Sequence, residues 1–288
     1  MFFIIGLVVV FGSVVTGYLM HHGKLAVLWQ PNEIVIICGA ALGAFIISNP
    51  MDVIKDVGKS MKMLFKGKPY KKSDYMELLL FMFAVFKLIK TKGMLEIEAH
   101  IEDPEQSTLF SKYPGVQHNH HAVVFFCDYL RLISMGVDNH YVLEDLMEKD
   151  IDGHTHHCHV IGTAISNIAD GMPALGIVAA VLGVITTMGS ISEPPAILGG
   201  LIGAALVGTF LGVLLSYGVI APMAAFISKF GEAEIKYFEC MKAGLIGNLR
   251  GNAPVVTIEF VRRILGEHEQ PTFKEMEEAI ANMDTKTE

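Results

Sequence analysis

Four long stretches of this 288-residue chain carry no Asp, Glu, Lys or Arg: residues 1–23, 34–51, 171–192 and 194–228. A helix that crosses a bilayer takes about 20 mostly apolar residues, within a working range of about 17–25, and the first three stretches fit that length. The fourth has 35 residues. At about 1.5 Å per residue it would extend about 52 Å, well past a hydrocarbon core of about 30 Å. It therefore crosses once and continues beyond the membrane, with Pro222 marking a kink or exit point. Composition agrees, with 52% apolar and 18% charged residues, against about 25% charged in soluble domains. Ordinary disorder is excluded, and four cysteines are too few for a disulfide scaffold. A net charge of −8 argues against a nucleic-acid partner. Met1-Phe2-Phe3-Ile4-Ile5 has no basic leader and no small-residue cleavage pattern follows, so the first stretch reads as a span rather than a signal peptide.

Basic residues orient the spans. Lys24 is alone in the first connection, whereas 21 of the 22 Lys and Arg residues fall in 51–170 and 229–288. Lys55, Lys59, Lys62, Lys66, Lys68, Lys71 and Lys72 follow the second span directly, where the positive-inside bias counts most. The expectation is an all-α, polytopic membrane protein with four transmembrane helices and a helical cytoplasmic domain. Its parts would be a span over 1–20, a periplasmic loop over 21–33, a span over 34–51 and a cytoplasmic domain over 52–170. A span over 171–192, a periplasmic loop over 193–198, a span over 199–222 and a cytoplasmic tail over 223–288 would follow. Within the central segment, Ser73 and Asp74 are placed to cap a helix ending at Gly93. The apolar run Leu78 to Phe86 is too short to span and reads as a buried helix. Val123 to Met135 and Tyr141 to Lys149 read as two further helices, and the tail helix breaks near Gly251-Asn252-Ala253-Pro254.

The third and fourth spans are rich in glycine and alanine, which lets helix backbones approach closely. Their hydroxyls, Thr186, Thr187, Thr209 and Ser216, can bond back to their own helices or line a wet path together. Ion-driven transporters usually carry titratable side chains inside the membrane. None of the four spans has an acidic or basic residue, and Asp170 stands just before the third. A partner subunit is therefore expected to supply the titrating group.

Twelve histidines include His118, His120 and His121, then His154, His156, His157 and His159 around Cys158. Imidazole and thiolate suit zinc or copper. No four-ligand spacing repeats, however, and the tract reads as a solvated polar linker, with no metal or cofactor expected. Three of the four cysteines fall on the reducing side, so disulfides are not expected.

The block Asp170-Gly171-Met172-Pro173-Ala174-Leu175-Gly176 through Gly183 resembles the third-span signature of the MotA family of flagellar motor stator subunits. Gly208-Thr209-Phe210-Leu211-Gly212 through Tyr217-Gly218 to Pro222 is similar to the family again, as are Gly93-Met94 through Pro104, Tyr113-Pro114 and Gly251-Asn252-Ala253-Pro254. The resemblance implies a pentameric ring of this chain around a dimer of a MotB-like subunit, whose single span carries the proton-binding Asp. Pro173 and Pro222 would then couple proton arrival to movement, as points where a missing backbone hydrogen bond leaves the helix deformable. Lys90 and Glu98 match the family's contact with the rotor protein FliG, with Lys92 able to share the role. Sodium-driven relatives tend to have threonine where Ala180 stands, so Ala180 implies protons. The resemblance also implies an inner (plasma) membrane location with cytoplasmic termini.

Two other readings stay open. ExbB and TolQ, related ring-forming subunits, energise envelope transport, and a metal-cation exporter would use the histidine tract. An enzyme is not expected, because no nucleophile–base spacing or phosphate loop appears.

Overall fold

The computed structural model describes residues 2–65 and 70–284. Among these residues there is no strand. Lys66 and Lys68 of the basic run lie outside the described residues. The helices are α1 (Phe2–Met20), α2 (Leu25–Leu28), α3 (Pro31–Ser48), α4 (Met51–Ser60), α5 (Lys72–Lys92), α6 (Met94–Glu102) and α7 (Pro114–Gln117). They continue with α8 (His120–Ser134), α9 (His140–Met188), α10 (Pro195–Leu215), α11 (Ala221–Leu249), α12 (Pro254–Ile264) and α13 (Phe273–Asp284). Four helical stretches among the described residues are long and apolar enough to cross a membrane: Phe3–Met20, Leu25–Ser48, part of His140–Met188 and part of Pro195–Leu249.

Several element boundaries differ from the sequence reading, among them the start of α10 at Pro195 rather than 199, and two of them bear on the site. The second span begins at Pro31 rather than 34, so Glu33 belongs to its first turn. Proline at the first helical position has no N–H to lose and a favourable fixed φ, and a carboxylate in the first turn suits the helix dipole. The third span is also not separate from the helix at Tyr141. One 49-residue α-helix runs from His140 to Met188, and the histidine tract is part of it rather than a linker. Glycine at 153 and 162 lowers helix propensity but removes no backbone hydrogen bond.

The chain divides into two compact units, one of Met1–Gly67 and His157–Gly231, the other of Lys68–His156 and Glu232–Glu288. In the first unit none of residues 3–20 is buried, although α1 is almost wholly apolar. An apolar helix of this size with so little of its surface covered is untenable in water and ordinary in lipid, where its backbone is satisfied internally. The buried side chains of this unit form two small clusters. Phe45, Val53, Val57, Ile161, Ile165 and Ile227 make one, and Ile37, Ala41, Met172 and Ala179 the other. Helix α4 is amphipathic, burying Val53 and Val57 while Lys55 and Lys59 stay out of the core.

The second unit has a conventional core. Leu78, Phe81, Met82, Val85 and Phe86 of α5 are sealed, as the short apolar run suggested. The Phe81 ring centroid lies 4.8 Å from Phe110 and 5.1 Å from Phe126, a separation at which aromatic rings attract. Helix α11 adds Tyr237, Phe238, Met241 and Leu245 to this cluster. The start of α5 is capped by Asp74, whose Oδ2 accepts from the Lys71 N–H at 2.8 Å, rather than by Ser73. Gly93, at φ +85°, ends α5 and opens α6. Gly251 does the same service after α11, at φ +81°, before Pro254 starts α12.

Candidate functional site

Helices α9 and α10 meet along glycine. A Cβ added at Gly176 would stand 2.8 Å from the Gly208 carbonyl oxygen and 3.0 Å from Gly212 Cα. One added at Gly212 would stand 2.8 Å from both Gly176 Cα and the Met172 carbonyl oxygen. Backbone therefore touches backbone, the close approach that small residues permit between membrane helices. Ala180 is buried in this seam, with its backbone N 3.0 Å from where a Gly208 Cβ would stand. Thr209, beside Gly208, is half-buried.

At one end of the seam lies Pro173, half-buried within α9. Proline has no N–H, so the carbonyl four residues earlier loses its helical donor. That carbonyl belongs to Ala169, and the buried Ser216 hydroxyl donates to it at 2.6 Å. Ser216 opens a single π-helical turn, Ser216–Ile220, in which the Ala221 N–H reaches back five residues to the Ser216 carbonyl. The wider turn ends just before Pro222, whose ring would otherwise press on the Gly218 carbonyl. Pro222 itself is exposed on α11. Both prolines thus interrupt backbone ladders, and Ser216 links one interruption to the other.

Toward the opposite end of the seam lies Glu33, 7% exposed. Its carboxylate occupies the space left by two glycines, for a Cβ at Gly208 would stand 2.5 Å from Oε2 and one at Gly183 would stand 3.3 Å from Oε1. Oε2 has no hydrogen-bond partner among the described residues. A carboxylate beside the second charge-free stretch falls outside any search confined to charge-free windows. The signal that finds it is local: proline followed two residues later by glutamate marks a helix start, and so places Glu33 inside the span. The second span therefore does carry an acidic residue, contrary to the expectation from its charge-free stretch.

The hydroxyls mostly serve their own helix. Thr186 is exposed and donates to the Leu182 carbonyl at 3.0 Å; Thr187 is buried and donates to the Gly183 carbonyl at 2.8 Å. Asp170 is exposed, on the helical turn before Pro173.

In the second unit, Lys90 is exposed near the end of α5 and Glu98 half-buried on α6. Gly93 makes the turn between them. Neither makes an ion pair among the described residues. Lys92, by contrast, is tied to Glu96 at 3.2 Å. The histidines are dispersed over different contacts. The His118 Nδ1 lies 2.7 Å from the Pro114 carbonyl, and the His154 ring stacks on Phe238 at 4.9 Å. The His157 Nε2 is 3.4 Å from Asp56. Among the described residues no three His, Cys, Asp or Glu side chains are grouped to hold a metal ion. Cys127 and Cys240 are buried, and burial pushes each thiol up to about 12, far from thiolate chemistry.

The membrane helices thus form a packed pair whose facing surface is backbone, with proline at one end and a buried carboxylate toward the other. Comparison with known proteins gives the class: residues 118–240 match the model of the MotA/TolQ/ExbB proton channel family. Residues 4–93 match the model of the motility protein A N-terminal region. Motility protein A of Escherichia coli (strain K12) is 40% identical over 280 residues, covering 97% of this chain and 95% of its own length. Chemotaxis protein LafT of Vibrio parahaemolyticus is 34% identical over 278 residues, covering 96% of each. Among solved structures, C. jejuni MotAB superposes with a TM-score of 0.77 at 18% identity, covering 92% of this chain and 95% of that one. The flagellar MotAB stator complex from Bacillus subtilis gives 0.75 at 24% identity, covering 92% and 96%. The chain belongs to the motility protein A family, and it is an inner-membrane protein.

Proposed function

We propose that this chain is a flagellar motor stator subunit. With a MotB-type partner whose single span carries an Asp, it forms a proton-conducting complex that turns proton flow into torque on the rotor protein FliG. The observation that carries the reading is the seam itself. Over residues 171–188 of α9 and 195–215 of α10 there is no titratable side chain, so neither helix carries protons along the seam itself, and a group supplied from outside the pair is needed. Support also comes from the relative named motility protein A in Escherichia coli and from the fold shared with a flagellar MotAB stator complex.

The working arrangement follows. Several copies of the chain, a pentamer in the family pattern, surround a partner dimer, with α9 and α10 toward it. Pro173 and Pro222 are the deformable points, and Ala180 and Thr209 line the seam. The second unit and both termini lie in the cytoplasm, as the Lys and Arg distribution requires. There the unpaired Lys90 and Glu98 meet complementary charges on FliG. Exposed ion pairs are worth about 0–1 kcal/mol each, which suits a contact that forms and breaks at every step.

Deletion of the gene should abolish swimming while leaving siderophore uptake intact, and the wild-type copy should restore swimming only together with the partner gene. Loss of siderophore uptake with unchanged swimming would favour an ExbB/TolQ-like role. Phosphatase fused after Glu193 should be active, and fused at the C-terminus inactive.

A further inference from the structure

Among the described residues Glu33 is the one acidic side chain seated between the spans, and nothing in the mechanism above employs it. The elements packed around it offer no countercharge. Neither α2, nor α9 over 171–188, nor α10 over 195–215 contains an Asp, Glu, His, Lys, Arg, Tyr or Cys, and α3 adds only Cys38. An ionised carboxylate without a partner in such a place is strongly disfavoured. It must hold either a proton or a cation. A hard cation needs a cage of several oxygens. Here the Thr186 and Thr187 hydroxyls donate to the Leu182 and Gly183 carbonyls but keep their oxygen lone pairs, so a cation is the alternative that the sodium arm of the test below separates from a proton.

The carboxylate is not sealed off. A cleft of about 250 Å³ opens beside it, in which Asn32, Glu33, Thr186 and Ser190 stand among apolar residues such as Ile36 and Leu201. This is polar enough and large enough to hold water, which needs room and two or more polar partners. The cleft lies near the short connection at Gly189–Pro194, at the other end of the seam from Pro173. Gly183 and Gly208 are what make the slot for the side chain, since a methyl group at Gly208 would collide with Oε2.

We propose that Glu33 is a proton-binding site of this subunit, at the mouth of the proton path opposite Pro173. This rests on the stator reading for the existence of the path, but not for the binding of the proton. Oε2 takes a proton from hydronium in the cleft, forming the O–H bond and leaving water. It later returns that proton to water on the way to the partner's carboxylate. The chain would thus load protons at its own glutamate before the partner's residue receives them.

The test compares the full-length chain with Glu33→Gln in lipid vesicles by infrared difference spectroscopy between acid and alkaline buffer, with and without sodium. The expected result is a protonated-carboxyl carbonyl band, present in the wild type, absent from Glu33→Gln and unmoved by sodium. Co-expressed with the partner, Glu33→Gln should slow proton flux and swimming several-fold, and Glu33→Asp should recover part of both. Absence of the band, a band displaced by sodium, or unchanged flux in Glu33→Gln would each overturn the proposal. The spectra require no motor, so a wild-type complex that neither conducts nor turns a flagellum would sink the stator reading while leaving the proton site standing.

Discussion

The Ser216 hydroxyl donates at 2.6 Å to the carbonyl of Ala169, four residues before Pro173, and so replaces the donor that the proline removes. Membrane helices tolerate proline when a neighbour satisfies the freed backbone group, and here that neighbour is a serine 47 residues further along the chain. The bond joins α9 to the π turn that precedes Pro222. Movement at either proline therefore strains a shared hydrogen bond.

Replacing Ser216 by alanine should leave the Ala169 carbonyl unsatisfied and cost about 1–3 kcal/mol, read as a lowered midpoint of thermal unfolding in detergent. Pro173→Ala restores an N–H to the same carbonyl. In that background the Ser216→Ala loss should shrink markedly. A double-mutant cycle with no coupling would show that the two residues act independently.

Alanine at Gly176 or Gly212 puts a methyl group into opposing backbone, which cannot rotate away as a side chain would. Overpacking of this kind costs about 1–3 kcal/mol. Each variant should reach the membrane in reduced amount and co-purify poorly with the partner. Gly199, where an added Cβ meets nothing within 4 Å, should accept alanine with neither defect.

Reversal of Lys90 and Glu98 together should abolish or severely slow swimming with normal membrane levels, and a charge change on FliG should restore part of it. Lys92→Glu is expected to do less to the rotor contact, because Lys92 is engaged by Glu96. Its local effect should stay below about 1 kcal/mol. Swim-plate diameter and immunoblots of membranes check both.

The second unit should lose stability in acid. Hydrogen bonds from the nearly buried Arg262 hold the Glu259 carboxyl below its ordinary range. The unfolded state then binds more protons than the native one, so the stabilisation is complete above the ordinary glutamate range and disappears as pH falls through the folded value. Amide exchange in α12, corrected for the pH dependence of the intrinsic rate, should rise over that interval. Arg262→Leu should raise it at neutral pH as well, by about 1.5–3 kcal/mol in opening free energy, because the Pro271 carbonyl also loses its 2.8 Å bond.

Absence of charge is a strong signal for a span because the bilayer penalises charge at every position, and it found all four. The same criterion placed Glu33 outside the second span. Its position is set instead by Pro31, which starts the helix, and by two glycines on other helices, which make room for the side chain. The 49-residue α9 was hidden for a related reason. Histidines are poor in helix propensity yet not forbidden there, and nothing in their run removes a backbone hydrogen bond. The roles proposed for Lys90, Glu98 and Pro173 rest on resemblance to a family, since no local pattern marks them. The Ser216–Ala169 bond was not visible at all, since no local pattern pairs residues that far apart.

Helix α1 buries none of residues 3–20 against the rest of the chain and approaches the π turn at Gly218, 3.0 Å from Val10 Cγ1 if a Cβ stood there. Its 19 residues extend about 28 Å, close to a hydrocarbon thickness of about 30 Å. A thicker or thinner bilayer is accommodated at a modest cost per ångström of mismatch. Any shift of α1 that results reaches Gly218 of the π turn, four residues before Pro222.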